Sequence, residues 1–298
     1  MKILYVNSGS PDYLADTLFH GLRSLYGTDV VDCPKMDYMY SNSFPESEMK
    51  TWGRGFTIFR TLEDIDVDRN YIFKKINDRH FDLIIWGSIH RNLSYFYSAI
   101  DSGSKCIFLD GEDQHQVHHM APHITWRASY FKRELDYRQH ENMKPIGFSF
   151  PKEKICTVYN KTKTNATVVP GYQETYIFNK EEDYYKDYQN SYYAITHKKG
   201  GWDCMRHYEI IFNNCMPYFT DIESCPKNTL TFLPKELLIE AKNLPGVSLS
   251  KNLIPSIEIN DMVFDEQKYK TLLQAILNYC KNTCTTEQMA KYILNNIV

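Results

Sequence analysis

The chain has 298 residues, 43% of them apolar, and a formal net charge of −3. That length holds two ordinary domains or one large one, and the apolar share supports a packed core. The near balance of charge excludes a global pull toward nucleic acid or anionic membranes, while a local basic groove stays compatible with it. In chain order, residues 2–7 (KILYVN) read as a buried strand. A loop, SGSPDY, then leads into a helix over 13–25, with Leu14, Leu18, Leu22 and Leu25 on one stripe. A second strand is predicted over 28–33. Residues 34–61, with Trp-Gly-Arg-Gly and several tyrosines, read as a long excursion of the kind that usually serves function. A helix over 71–77, a strand over 81–86, a helix over 93–100 and a strand over 105–109 complete an alternating pattern. That alternation predicts a mostly parallel sheet with sites at the carboxyl ends of its strands.

Prolines and a glycine in KPIGFSFP mark a crossing near 148, which predicts an N-terminal domain over 1–148 and a C-terminal one over 149–298. In the second half, strands are expected over 154–159, 167–169, 192–196 and 216–220. Helices are expected over 180–189, 234–244, 265–279 and 285–297. Eight cysteines lie along the chain, none in a CxxC pair, and the opening MKILYVNSGS reads as a strand rather than a secretion signal. These features predict reduced thiols in a cytoplasmic protein, and no apolar run approaches the length of a transmembrane segment.

The stretch KKGGWDCMRHYEIIFNNCMPYF, residues 198–219, reads as a strand end, a glycine turn, a helix and a new strand beginning at a proline. Gly200 and Gly201 permit positive φ and close backbone approach. Lys198, Lys199, Asp203, Arg206, His207 and Glu209 crowd the helix start. Free N–H groups and the positive end of the helix dipole favour a phosphate there. A carboxylate further along, Glu209, suits the two hydroxyls of an attached ribose. The competing reading is an ordinary strand-to-helix turn capped by Asp203.

This segment resembles the donor-binding motif of GT-B glycosyltransferases of the family-one-like group, whose second domain carries an RxYE helix followed by a small residue and a proline. Asn214-Cys215 departs from the glycine common in that motif, while Pro217 keeps its place. The resemblance implies an α/β fold of two Rossmann-like domains facing a cleft, with C-terminal helices able to cross back to the first domain. It implies transfer of a sugar from a nucleotide diphosphate, expected to be UDP, to a hydroxyl acceptor without a metal or other cofactor. Donor contacts would come from Lys199, Gly200, Gly201, Trp202, Asp203, Arg206, His207 and Glu209. The turn DGED, residues 110–113, and the downstream YFKREL also resemble the group. With inversion, Asp113 or Asp110 would take the acceptor proton, with Asp12 behind them. Tyr13, Glu112, His115 and Arg133 would line the acceptor side, and Arg127 and Lys132 add positive charge useful for a phosphate.

Asp113 with His115, His118, His119 and His123 suggests a metal site but has no known zinc spacing and reads rather as a polar loop or acceptor contact. The alternating Asp64, Asp66 and Asp68 resemble the metal-binding D-x-D of the other main glycosyltransferase fold, but they lie in the wrong domain for a GT-B donor site and read as a solvated loop or helix entry. The first loop lacks GxGxxG, which counts against a nicotinamide or flavin cofactor. The acceptor stays open between a glycan, a lipid-linked glycan and hydroxymethylated DNA, as in phage-type enzymes. Lys50, Arg54 and Arg60 in the long excursion are candidates to grip such a polymer. A non-catalytic protein that binds a nucleotide or sugar is the remaining alternative.

Overall fold

The computed structural model describes residues 1–42, 52–137, 140–250 and 252–298. The chain forms two compact α/β units, one of Met1–Pro151 with Thr285–Val298 and the other of Lys152–Cys284.

The first unit is built on six parallel strands in the order β2-β1-β3-β4-β5-β6. They are β1 (Ile3–Val6), β2 (Val30–Cys33), β3 (Leu83–Trp86), β4 (Lys105–Asp110), β5 (Ser129–Lys132) and β6 (Met143–Pro145). β1 and β3 are apolar at every position and buried at every position. That is what a parallel strand covered on both faces requires. Chain order reverses between β1 and β3, the kind of switch point beside whose carboxyl ends ligands of such sheets bind.

Helix α1 (Tyr13–Tyr26) starts where Asp12 accepts the backbone N–H groups of Leu14 and Ala15, and it buries Leu14, Leu18 and Leu22. Helices α2 (Ile72–Asn77), α3 (Phe96–Ser102) and α4 (Ala121–Ile124) connect the later strands. Ile72, Ile76, Ala99 and Ile124 enter a core that also holds Trp86 and Phe108, whose rings stack at 4.5 Å. In the long excursion, Tyr38, Met39, Tyr40, Ile58 and Phe59 are buried, and Tyr40 bridges to Leu62. The described parts of the excursion are thus anchored by buried side chains.

Strands β5 and β6 were not expected. β5 reads SYFK and ends in a lysine that is wholly buried, which hides it from a search for apolar runs.

In the second unit, β7 (Lys163–Asn165), β8 (Ser191–Thr196) and β9 (Met216–Phe219) form a parallel sheet. A hairpin of β10 (Val247–Ser250) and β11 (Ser256–Ile259), also unexpected, is tied to it by Asn165, whose side-chain amide donates to the Ile257 carbonyl at 2.8 Å. In place of the expected strand over 154–159, a 3-10 turn ends at Lys154 and irregular chain follows over 155–159, and the one over 167–169 is irregular chain just after β7. There the Asp187 carboxylate accepts the Thr167 N–H, taking the bond a strand neighbour would have used. Helices α5 (Glu181–Gln189), α6 (Met205–Phe212), α7 (Lys235–Lys242) and α8 (Glu266–Thr283) complete the unit. No helix among the described residues is long and apolar enough to cross a membrane.

The last helix, α9 (Thr286–Leu294), belongs to the first unit and packs along α1. Gly21 makes this close approach feasible, because a Cβ there would stand 1.9 Å from the Thr286 carbonyl oxygen. Beside it, His20 Nδ1 lies 3.0 Å from Thr286 Oγ1 in a buried bond. Gly21→Ala should cost about 1–3 kcal/mol, the usual range for overpacking. Urea denaturation measures this loss, and an unchanged midpoint would contradict the packing described.

Candidate functional site

A polar cluster forms where β3 and β4 end. Its hub is Asp110, the last residue of β4, which is wholly buried. Parallel pairing sets Asp110 directly opposite Lys132 of β5, whose ammonium donates to Oδ1 at 2.9 Å. Tyr130 lies two residues earlier, hence on the same face of β5, and its hydroxyl donates to Oδ2. The Glu112 backbone N–H donates to Oδ1 at 3.1 Å, and His90 Nε2 stands 3.1 Å from the same oxygen. Burial alone would raise the Asp110 pKa. The Lys132 ammonium, the bonds from Tyr130 and Lys132, and His90 outweigh it and hold the carboxyl below its ordinary 3.8. Burial and then the Asp110 charge push the Tyr130 phenol far up, so it stays a donor.

The same hub sets the path of the following loop. The Lys132 ammonium also donates to the Glu112 carbonyl at 3.2 Å, and the Tyr130 hydroxyl accepts the His118 N–H at 3.0 Å. A cavity of about 400 Å³ results, lined by His90, Glu112, Gln114, Gln116, Val117, His118 and His119. The His90 and His118 rings meet edge to face at 4.7 Å, and those of His118 and His119 lie 4.1 Å apart. Burial, then the neighbouring His90 and His119, lower the His118 pKa below 6.5, which favours its neutral ring at pH 7. His90 carries no motif. Only the fact that it follows the end of a parallel strand could have drawn attention to it.

Several expected residues play other parts. Asp110 is sealed from solvent, so it cannot touch an acceptor hydroxyl directly. Asp113 is exposed and ion-paired with Arg133. Arg133, expected on the acceptor side, is buried, and its guanidinium donates to the Gly111 carbonyl from Nε at 3.0 Å and Nη2 at 2.9 Å. It clamps the turn instead of facing a ligand. Lys132, expected to reach a phosphate, is consumed by Asp110. Asp12 caps α1 and lies 3.6 Å from Arg91, and Tyr13 stacks on Phe59 at 6.2 Å. Glu112 lines the cavity, whereas His115 is exposed and does not. Asp64 pairs with Lys35 and Asp68 with Lys75. Among the described residues, no group of three or more His, Cys, Asp or Glu is placed to hold a metal ion. Of the residues suggested as a polymer grip, Lys50 lies outside the described residues, Arg54 is exposed, and Arg60 donates to the Ser41 carbonyl at 3.2 Å.

The second unit carries the other cluster, at the start of α6. The helix begins at Met205, with Cys204 as its N-cap and no side-chain cap bond. Asp203 therefore stands outside the helix and is buried, rather than capping it. Gly200 and Gly201 both keep negative φ, so the turn does not use the freedom that glycine offers. His207, expected at the donor, is wholly buried. Its Nε2 lies 2.9 Å from the Trp202 carbonyl and its Nδ1 3.0 Å from Thr196 Oγ1, so it staples the turn to the end of β8. Burial lowers its pKa, consistent with a neutral structural ring.

Arg206 and Glu209 are three residues apart and share a different face of α6. Arg206 donates to the Tyr176 hydroxyl at 3.1 Å and lies over the Tyr176 ring at 5.5 Å. The Lys199 ammonium stands 5.9 Å from the same ring. Glu209 is largely buried and accepts the Tyr184 hydroxyl at 2.9 Å, and Tyr184 in turn accepts the Tyr188 hydroxyl at 2.7 Å. Burial and the Glu209 charge keep the Tyr184 phenol protonated, which orients this chain of donors toward the carboxylate. Trp202 takes the Lys198 ammonium over its ring at 5.9 Å. Tyr176 and Tyr184, which assemble this cluster, carry no motif and were missed.

Lys132→Met would strand a buried carboxylate and should cost about 3–5 kcal/mol, with part of the loss recovered in Lys132→Met/Asp110→Asn. The depressed Asp110 pKa gives the sign with pH. Its stabilisation is complete above 3.8 and lost as pH falls through the lower folded value. Urea midpoints measured from pH 5 to 2 should therefore fall less steeply in Asp110→Asn than in the wild type.

No protein-family model matches this chain, and no curated protein matches it.

Proposed function

We propose that the protein is a nucleotide-sugar-dependent glycosyltransferase of GT-B type, moving a sugar from a nucleoside diphosphate to a hydroxyl acceptor. The observation that carries this reading is the cluster on α6. Two cations, Lys199 and Arg206, converge on the Tyr176 ring, and the Glu209 carboxylate follows one turn later on the Arg206 face. Cations beside a helix start without a side-chain cap suit a diphosphate. A carboxylate a few ångströms further suits the paired hydroxyls of a ribose. The tyrosines behind Glu209 hold it in one orientation, and this pre-ordering lowers the cost of binding. Positive charge at the diphosphate stabilises the leaving group as the glycosidic bond breaks.

Proton handling is assigned to His90 and Asp110 in the first unit. A carboxylate beside Nε2 favours the tautomer protonated there, which leaves Nδ1 to accept a proton. Asp110 acts through His90 and is a positioning residue.

A thermal-shift screen of nucleotide sugars tests the donor assignment. A bound donor at a hundred times its Kd adds about 2.7 kcal/mol to stability. Glu209→Gln and Arg206→Met should each lose most of the shift, and a screen without any stabilising nucleotide sugar would reject the reading. His90→Ala should keep the shift but lose transfer and donor hydrolysis by about a hundredfold or more, the usual contribution of a general base. Unchanged turnover in His90→Ala would reject His90 as the base, whereas a stabilising nucleotide sugar that the wild type neither transfers nor hydrolyses would favour a protein that binds without catalysis.

A further inference from the structure

We infer that the cavity at the ends of β3 and β4 is the acceptor subsite, and that it takes a neutral, polyhydroxylated ring in preference to a phosphate-bearing acceptor. The transfer step rests on the proposed glycosyltransferase activity; the binding preference stands on the cavity alone. Its volume of about 400 Å³ falls within the roughly 300–1,000 Å³ typical of small-molecule sites. Five of its seven lining residues both donate and accept hydrogen bonds. Gln114 and Gln116 offer amides, His90, His118 and His119 offer imidazoles, and Glu112 accepts. Vicinal hydroxyls, which also donate and accept, match such a surface.

The charge of the lining argues in the same direction. No lysine or arginine lines the cavity among the described residues, and Glu112 would repel an anion. Of the cations close to the lining in the chain, Lys132 is neutralised by Asp110, Arg133 pairs with Asp113 and Glu134, and Arg91, next to His90, lies 3.6 Å from Asp12. A DNA strand or a lipid diphosphate entering here would meet a carboxylate and no counter-charge. Among the described lining residues, Val117 is the one without a polar side-chain atom.

A ring hydroxyl beside His90 would react in a balanced step. Its O–H proton passes to His90 Nδ1 while the oxygen bonds to the anomeric carbon of the donor. The bond from that carbon to the diphosphate oxygen breaks, and its electron pair leaves with the nucleoside diphosphate. His90 then releases the proton to solvent.

The test is NMR of the protein labelled with ¹³C in its histidine rings, titrated separately with maltotriose, chitotriose, mannotriose, xylotriose and a single-stranded DNA containing 5-hydroxymethylcytosine. At least one oligosaccharide should shift the His90, His118 and His119 signals in the absence of donor. Gln114→Ala/Gln116→Ala should weaken that oligosaccharide at least tenfold, and Val117→Trp, which fills the cavity, should abolish the shift. Gln114 and Gln116 are exposed, Val117 is half-buried against the core of the first unit, and none of the three belongs to the donor cluster, so the thermal shift with nucleotide sugars should be unaltered. The inference is overturned if no oligosaccharide moves these signals, if the DNA moves them instead, or if the shift survives both variants. A failed donor screen would reject the transferase reading without touching this result, since the two experiments probe different units.

Discussion

The first unit depends on one buried ion pair, Asp110 with Lys132, at the ends of two neighbouring parallel strands. Removing two charges from water is expensive, and such a pair is weak evidence of added stability. Its value here is positional. Asp110 is met from four directions, by Lys132, Tyr130, His90 and the Glu112 backbone, so a change at any one disturbs the others. The strand register that opposes Asp110 to Lys132 also puts Tyr130 within reach, and through Tyr130 it fixes where the loop carrying His118 begins. The cavity is thus a consequence of strand pairing.

The second unit solves a related problem with a short helix. One face of α6 turns His207 inward, where both ring nitrogens are engaged by the chain that precedes the helix. Another carries Arg206 and Glu209 toward Tyr176 and Tyr184. The inward face fixes the turn, and the fixed turn allows Lys199 to meet Arg206 over a single tyrosine ring. Structural and candidate binding residues therefore alternate along eight positions, and helical periodicity separates them.

The proposed transfer gives each cluster its own role. Cations, a helix start and an oriented carboxylate in the second unit suit a nucleoside diphosphate. A histidine backed by a buried carboxylate in the first suits the removal of a hydroxyl proton. The two clusters share no residue, so the proposed donor and acceptor roles can be altered separately by substitution.

The sequence by itself determined the alternation of strands and helices, because apolar runs such as ILYV and LIIW and the leucine stripe of α1 are local signals. It also singled out Lys199, Arg206 and Glu209, whose spacing on one turn and helix is local too. Tertiary structure decided the rest. β5 was hidden because its lysine is buried against a carboxylate 22 residues away, and the hairpin of β10 and β11 because its alternating segments, VSLS and SIEI, are only four residues each. His207 and Arg133 looked like ligand contacts because a polar residue near a glycine turn or a carboxylate cluster reads the same whether it faces inward or outward. His90 was invisible for the converse reason. Its meaning comes from Asp110, 20 residues further on, and only the pairing of β3 with β4 brings the ends of those strands together.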